Sequence, residues 1–251
     1  MKKIRILVVS VKSFSDRHEH IRRLSEKFNF DYEFIFKFDP DGLTGFGGRT
    51  VCGSLKSSSV SNVLKHLEAS RMTAFGNSEM TLVLEDDVEL FDDFFERLED
   101  IISQAERLGP GWLIFLGGAD NKIDKEIARS SGTSLFERPI TTAEAYLIDR
   151  TGAILREQWL EKNLIDCQAD HQLKKIDASM GIKQYCVSKP LATQGSITGR
   201  FKTALDESRA RHSKCYLYCK YKWNRLRKQV LPRFMARLAM RTDKKDAGSN
   251  G

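Results

Sequence analysis

The sequence predicts an α/β fold: a mostly parallel central sheet flanked by helices, followed by a basic helical tail. Three observations lead there. Short apolar runs rich in β-branched residues recur along the first 190 residues, as buried strands do. Between them lie segments whose apolar residues repeat every three or four positions, the mark of a helix with one buried face. The charge is also divided. Residues 200–251 hold fifteen Lys and Arg against four Asp and Glu, whereas the remainder holds 26 against 30, so a mildly acidic body carries a strongly basic tail.

The elements follow in order. Residues 4–9 form the first strand. Ile21, Leu24 and Phe28 mark the first helix. Residues 32–38 alternate aromatic and other side chains and predict a second strand. The stretch "DPDGLTGFGG" has no periodicity and reads as a loop. Val60, Val63, Leu64 and Leu67 mark a second helix, for which serines 57–59 offer caps. Residues 81–84 are a strand. Phe91, Phe95, Leu98, Ile102 and Ala105 form a helical stripe that Asp92 or Asp93 could cap, and Gly109-Pro110 stops it. Further strands are expected at 112–116, 143–148 and 182–187, with a helix after 148 that Thr151 could cap. In the tail, Trp223, Leu226, Val230, Phe234 and Leu238 lie on one helical face, and Arg233, Arg237 and Arg241 share another. Pro232 should kink or split that helix. The last residues, "DKKDAGSNG", read as disordered.

The sharpest chemical feature is "TLVLEDDVELF". An apolar strand runs directly into Glu85-Asp86-Asp87. In extended geometry Glu85 and Asp87 point to one side and Asp86 to the other. Acids at the carboxyl end of a sheet strand stand where open α/β sheets bind ligands. Hard carboxylate oxygens suit Mg²⁺ or Mn²⁺ completed by phosphate oxygens. Such strand-end acids also serve phosphatases and nucleases, so they do not by themselves name a reaction.

Composition bounds the rest. With 251 residues the chain can bury a sizeable core. No run approaches the roughly 18 apolar residues of a membrane span. The opening "MKKIRILVVSVKSFSDR" is not expected to act as a secretory signal. Five scattered cysteines argue against a disulfide scaffold and for reduced thiols. The dense basic charge with interspersed aromatics predicts that the tail lies on an anionic membrane surface; the alternative is a solvated helix docked on the body.

Several ordered segments resemble glycosyltransferase family 25, the lipopolysaccharide- and lipooligosaccharide-type galactosyltransferases. These are the first strand with Ser15-Asp16-Arg17, then "CGSLKSSSVSNVLKHLEA", "LVLEDDVEL", "WLIFLGG", "TTAEAYLIDRTGA", "IDCQADHQL" and "YCVSKPLATQGS". The resemblance covers roughly residues 4–197. It implies a GT-A-like fold, placed as a single domain over 1–199; the tail's own charge and pattern mark 200–251 as membrane-associating. It further implies a nucleotide-sugar donor, usually UDP-galactose, with Mn²⁺ (or Mg²⁺) and inverting transfer to a lipopolysaccharide or other lipid-linked glycan. By position, Glu85 and Asp87 are the metal and diphosphate acids with Asp86 beside them. Asp170 is the later acid facing acceptor or metal, and Gln194 and Ser196 are the late polar pair near the donor. Two departures stand out: Ser61-Asn62 replaces the family's serine-histidine, with His66 one helical turn on, and Glu144 occupies a position where a neutral or histidine residue is expected.

An inverting transfer needs a base for the acceptor hydroxyl. Asp170 is the first choice and Asp166 the second, four residues apart and on one face if that stretch is helical. His171 is a weaker candidate. Arg17, just after the first strand, could reach a uracil or a phosphate. The expected location is cytoplasmic, peripheral on the inner face of the plasma membrane, and nucleic acid is not an expected partner. The competing reading is a non-catalytic protein that binds nucleic acid or membrane through its tail.

Overall fold

The computed structural model describes residues 4–248 except 42, 44, 45, 47, 141 and 204–210, and gives backbone alone for 241–248. The chain begins β1 (Arg5–Val9), α1 (Ser15–Phe28), β2 (Glu33–Ile35), β3 (Thr50–Val51) and α2 (Ser57–Ala74). It continues β4 (Met80–Glu85), β5 (Val88–Leu90), α3 (Phe94–Ala105), β6 (Trp112–Phe115), α4 (Lys125–Arg129) and β7 (Leu135–Glu137). Then come β8 (Ala145–Asp149), α5 (Arg150–Leu160), β9 (Leu164–Ile165), α6 (Ala169–Ser179), β10 (Lys183–Val187), β11 (Ala192–Gln194) and α7 (Gly195–Thr198). The tail forms α8 (Lys214–Arg225), a π-helical turn (Leu226–Val230) and α9 (Leu231–Gly248).

Seven strands make the central sheet in the order β2-β1-β4-β8-β6-β10-β7. β8 runs antiparallel to both β4 and β6, and β7 antiparallel to β10; the other pairings are parallel. Alternate side chains of each strand bury on opposite faces. Val8, Leu82, Leu84 and Leu147 pack with Ile21 of α1 and Phe94, Leu98 and Ile101 of α3. Leu7, Val83, Tyr146 and Ile148 face the other layer, where α2, α5 and α6 share a core around Leu64, Leu67, Leu160 and Ile176. The sheet is therefore covered by helices on both faces, which is why its strands read as continuous apolar runs.

Several sequence expectations are corrected. The strand expected at 32–38 is three residues long, because Phe38 takes a left-handed φ of 67° and the chain turns. Phe34 and Phe36 instead stack on each other beside the His18 ring. Serines 57–59 lie inside the first turn of α2, whose cap position is Lys56, with no side-chain cap bond. Asp93 stands at the start of α3 without capping it, and Asp92 pairs with Lys27 at 2.5 Å. Asp149, not Thr151, caps α5 by accepting the Gly152 N–H at 2.9 Å. The loop "DPDGLTGFGG" falls partly outside the described residues. The backbone over 243–248, expected to be disordered, is helical, and 249–251 lie outside the described residues.

The tail docks on the body. Leu217, Tyr221 and Gln229 are buried. Pro232 has no N–H to give the Lys228 carbonyl one turn back. That carbonyl takes the Ile123 N–H instead, while the Lys228 ammonium reaches the Asp120 carbonyl at 2.9 Å. The proline thus opens the ladder into a π-helical turn without ending the helix. Among the described residues, no helix is long and apolar enough to cross a membrane.

All five cysteines are free thiols. Hydrogen bonds from Ser54 hold the Cys52 thiol below its ordinary value, whereas burial, then Asp166, pushes Cys167 up to about 11. At pH 8 the thiolate fraction of Cys52 is therefore the larger, offset in part by the lower nucleophilicity of a more acidic thiol. Iodoacetamide should therefore alkylate Cys52 about tenfold or more faster than Cys167 in the native protein. Peptide mass spectrometry over a time course reads the ratio, and equal rates would contradict the two environments.

Candidate functional site

The carboxyl edge of the sheet gathers the polar groups. Val9 and Glu85 are register partners at the ends of the parallel strands β1 and β4. β6 reaches the same edge and continues into Gly117-Gly118. Because β8 is antiparallel, it is its start that lies here, and the residue before it, Glu144, is delivered beside Glu85; the Glu144 carbonyl accepts the Glu85 N–H at 2.9 Å. The hairpin-like pairing of β5 with β11 brings Gln194 opposite Val88, so the chain end of the body folds back over the acidic turn.

Two chambers open at this edge. The narrow one, about 100 Å³, is walled by Ser10, Arg17, Lys65, Asp86 and Asp87. The wider one, about 520 Å³, is walled by Asp120, Asn121, Glu144 and Asp170. Asn62, Glu85, Gln194 and Ser196 line both. Asp86 therefore does not turn away from its neighbours as strand alternation predicts. The strand ends at Glu85, the next two residues form a turn, and all three acidic residues line one cavity.

Each acid has its own partners. Glu85 Oε2 accepts from Gln194 Nε2 at 2.8 Å, and Oε1 lies 3.3 Å from His66 Nε2. His66 Nδ1 is in turn 3.1 Å from the Tyr146 hydroxyl. An imidazole thus stands at the acidic turn after all, supplied one helical turn beyond Asn62. Asp86 accepts from Ser10 Oγ at 2.7 Å and from Arg17 Nη1 at 2.6 Å. Asp87 Oδ2 accepts the Ser196 N–H at 3.0 Å, and its carbonyl takes the Gly195 N–H.

Their electrostatics differ accordingly. Burial alone would raise Glu85, but His66, Arg17 and Gln194 outweigh it and hold the group below the usual carboxylate range. Burial raises Asp86 against the pull of Arg17 and Ser10. Burial, then the negative charge of Glu85, pushes Asp87 up to about 7. Burial likewise pushes Glu144 to about 7. Burial depresses Lys65, whose ammonium is held by Asp39 and the Ile35 carbonyl. Three carboxylates face Arg17 and Lys65 at this cavity, and Asp39 takes the Lys65 ammonium, so with the three acids ionised a surplus of negative charge remains.

Of the residues named from sequence, the structure brings together Arg17, Glu85, Asp86, Asp87, Gln194 and Ser196, and places Asp170 across the wider chamber. It does not bring Asp166. That residue precedes α6, is exposed, pairs with Lys175 at 2.7 Å and lines neither chamber. The helical face it was expected to share with Asp170 does not exist, because the helix starts at Ala169. His171 is exposed.

Sequence reasoning left Ser10, Lys65 and Glu144 without a role. Glu144 carried a signal, as an acid inside an apolar run. Its Oε1 accepts the Gly118 N–H at 2.7 Å, and Gly118 has a left-handed φ of 83° that aims that N–H inward. A Cβ on Gly117 would collide with the same oxygen, so the missing side chain at Gly117 is the space the carboxylate occupies.

No known family model matches the sequence, and no curated protein does. Among solved structures, the chain is similar to the galactosyltransferase LgtC in complex with donor and acceptor sugar analogues. The identity is 12% and the TM-score 0.35, over 72% of this chain and 71% of that one.

Proposed function

We propose that the protein is a glycosyltransferase of GT-A-like, family 25-like type. It moves a hexose, most simply galactose from UDP-galactose, onto a lipopolysaccharide or other lipid-linked glycan with inversion. The observation that carries the reading is the Glu85-Asp86-Asp87 turn at the carboxyl end of β4, opening into two chambers that meet at Glu85, Gln194 and Ser196. The acids and Arg17 at the narrow chamber offer contacts for a donor's diphosphate, and the wider chamber beside them has room for sugar. Family membership rests on the sequence segments alone.

The donor set suits a divalent cation. Among the described residues no three His, Cys, Asp or Glu converge on one point. Two carboxylates, Glu85 and Asp87, are nevertheless what a Mn²⁺ or Mg²⁺ site completed by phosphate oxygens uses. The surplus negative charge around them is what such an ion would offset. When bound, the ion supplies charge neutralisation for a departing diphosphate.

The chain's own residues do the rest. Arg17 is fixed by Asp86 and the Lys202 carbonyl at 2.6 Å each, so its guanidinium is pre-set at the mouth of the narrow chamber for a phosphate or a uracil edge. Gln194 and the Ser196 N–H hold Glu85 and Asp87 in place. Asp170 is the base. Glu144 is fastened by Gly118 and packed over Gly117, so it shapes the chamber wall. Asp170 has only a local bond from the His171 N–H at 2.9 Å and can turn toward an acceptor hydroxyl. The exposed apolar face and basic charge of the tail support placement on the inner face of the plasma membrane, close to a lipid-anchored acceptor.

The test is a thermal-shift panel of UDP-, GDP-, CMP- and dTDP-sugars with and without Mn²⁺. One nucleotide class should raise Tm in a Mn²⁺-dependent way. Asp170→Asn should keep that shift while transfer turnover falls by about 10²- to 10⁴-fold. No shift with any donor would overturn the reading. A shift with full turnover in Asp170→Asn would move the base elsewhere.

A further inference from the structure

A separate groove of about 740 Å³ lies between the tail and the body and shares no lining residue with either chamber. Five cations line it: Arg97 and Lys189 from the body, and Arg225, Arg233 and Arg237 from the tail. Two acids also line it. Asp92 is taken by Lys27 at 2.5 Å, and Asp93 lies 3.4 Å from Arg97.

Apart from the Asp93 contact of Arg97, the contacts of Arg97, Arg225 and Arg233 are to neutral groups. Arg97 reaches Thr133 Oγ1 at 3.2 Å and the carbonyls of Lys189 and Pro190. Arg233 reaches the Gln229 carbonyl and Oε1 and the Ser188 carbonyl at 2.5 to 2.8 Å. Arg225 lies over the Phe91 ring at 4.9 Å. Lys189, Arg225, Arg233 and Arg237 have no acidic partner among the described residues. Burial, then Arg225, Arg237 and Arg97, holds Arg233 below the ordinary guanidinium value. Cations collected in a concave site repel one another unless an anion sits among them, and planar guanidinium groups suit phosphate oxygens.

The groove has an apolar lip. Arg225, Gln229, Arg233 and Arg237 recur every fourth residue. Leu226, Val230, Phe234 and Leu238 recur one position on and form the adjacent stripe. Val230 and Phe234 line the groove and are 49% and 56% exposed; Leu226 and Leu238 are exposed beside them. A free phosphate would satisfy the cations and leave this stripe in water. A lipid answers both.

From this juxtaposition we infer that the groove seats the phosphate headgroup of a membrane lipid, a phosphomonoester or diphosphate, while the Leu226, Val230, Phe234 and Leu238 stripe enters the acyl boundary. The inference rests on the membrane side of the reading above and is independent of glycosyl transfer. A phosphomonoester offers more charge and a further unsubstituted oxygen than a phosphodiester, so the groove distinguishes the two headgroups, which a diffuse basic surface does not.

The experiment is vesicle flotation with the full chain. Phosphatidylcholine vesicles carry either phosphatidic acid or phosphatidylglycerol, at mole fractions giving equal surface charge. Wild type should bind phosphatidic acid vesicles about tenfold more tightly, and inorganic pyrophosphate should compete. Lys189→Gln with Arg237→Gln should abolish the preference. Arg237 is exposed and Lys189 half-buried, and an unchanged Tm confirms folding. Lys220→Gln with Lys222→Gln, outside the groove, should weaken binding to both vesicles alike and keep the preference. Equal binding to the two vesicles, with all four substitutions acting alike, would overturn the groove and leave general membrane attachment standing. Stabilisation by pyrophosphate without vesicle binding would overturn the lipid occupant in favour of a free phosphate. Binding to neither would overturn the site.

Discussion

Asp177→Asn is expected to destabilise the protein by about 3–5 kcal/mol, the usual cost of leaving one buried charge without its partner. Arg156 and Asp177 are both fully buried and joined by two parallel bonds, Nε to Oδ1 at 2.7 Å and Nη2 to Oδ2 at 2.8 Å. Gln184 Nε2 donates to the same Oδ2 at 2.7 Å, and Arg156 Nη1 lies 3.3 Å from Ser70 Oγ. The cluster therefore ties α5, α6, β10 and α2 together behind the sheet. Burial alone would lower the Arg156 guanidinium, and the Asp177 charge outweighs it in the native protein; without Asp177 the guanidinium, which is not deprotonated at ordinary pH, is left buried without a counter-charge. Urea unfolding followed by circular dichroism measures the loss. The double variant Arg156→Met, Asp177→Leu should recover most of it, because an apolar pair of similar volume needs no counter-charge. A loss below about 1 kcal/mol in Asp177→Asn would mean that water reaches the arginine.

Asp87→Asn should do two opposite things. Donor-dependent transfer should fall by about 10²-fold or more, as when a group that stabilises developing charge is lost. The protein without metal should become more stable at pH 8, by about 1–2 kcal/mol. Asp87 is one of three carboxylates crowded into a buried cavity, and Glu85 and Asp86 both oppose its charge. The asparagine oxygen can still accept the Ser196 N–H, so the substitution removes repulsion and keeps the bond. Paired activity and Tm measurements decide it. A variant that loses activity and stability together would mean that Asp87 serves the fold rather than the site.

The parts legible in the sequence are those set by local pattern. Buried strands such as β1, β4 and β6 announce themselves because both of their faces are covered, which demands an unbroken apolar run. The acidic turn is legible because three charges directly after such a run are costly unless used. Helix caps are less legible. Serines 57–59 and Asp93 have the right chemistry, yet a cap bond depends on the backbone angle at one residue, which composition does not specify. The strand expected at 32–38 keeps Phe34 and Phe36 on one side beside His18 but is broken at Phe38, where a left-handed φ sends the ring to the core shared by α2, α5 and α6.

The sequence by itself determined the layers, the strand that ends in Glu85, Asp86 and Asp87, and the basic stripe of the tail, since all follow from spacing within a few turns of chain. Tertiary structure alone decided which groups meet. Gln194 reaches Glu85, and the Ser196 N–H reaches Asp87, across 109 residues. Glu144 comes to the site because β8 is antiparallel, and Asp166 is left out because α6 starts three residues later. Arg97 and Lys189 complete the tail's cationic stripe because Pro232 frees a carbonyl that the body's Ile123 N–H then takes. The reason is the same each time: periodicity fixes which way a side chain faces along its own element, whereas its partner is chosen by strand order and helix docking.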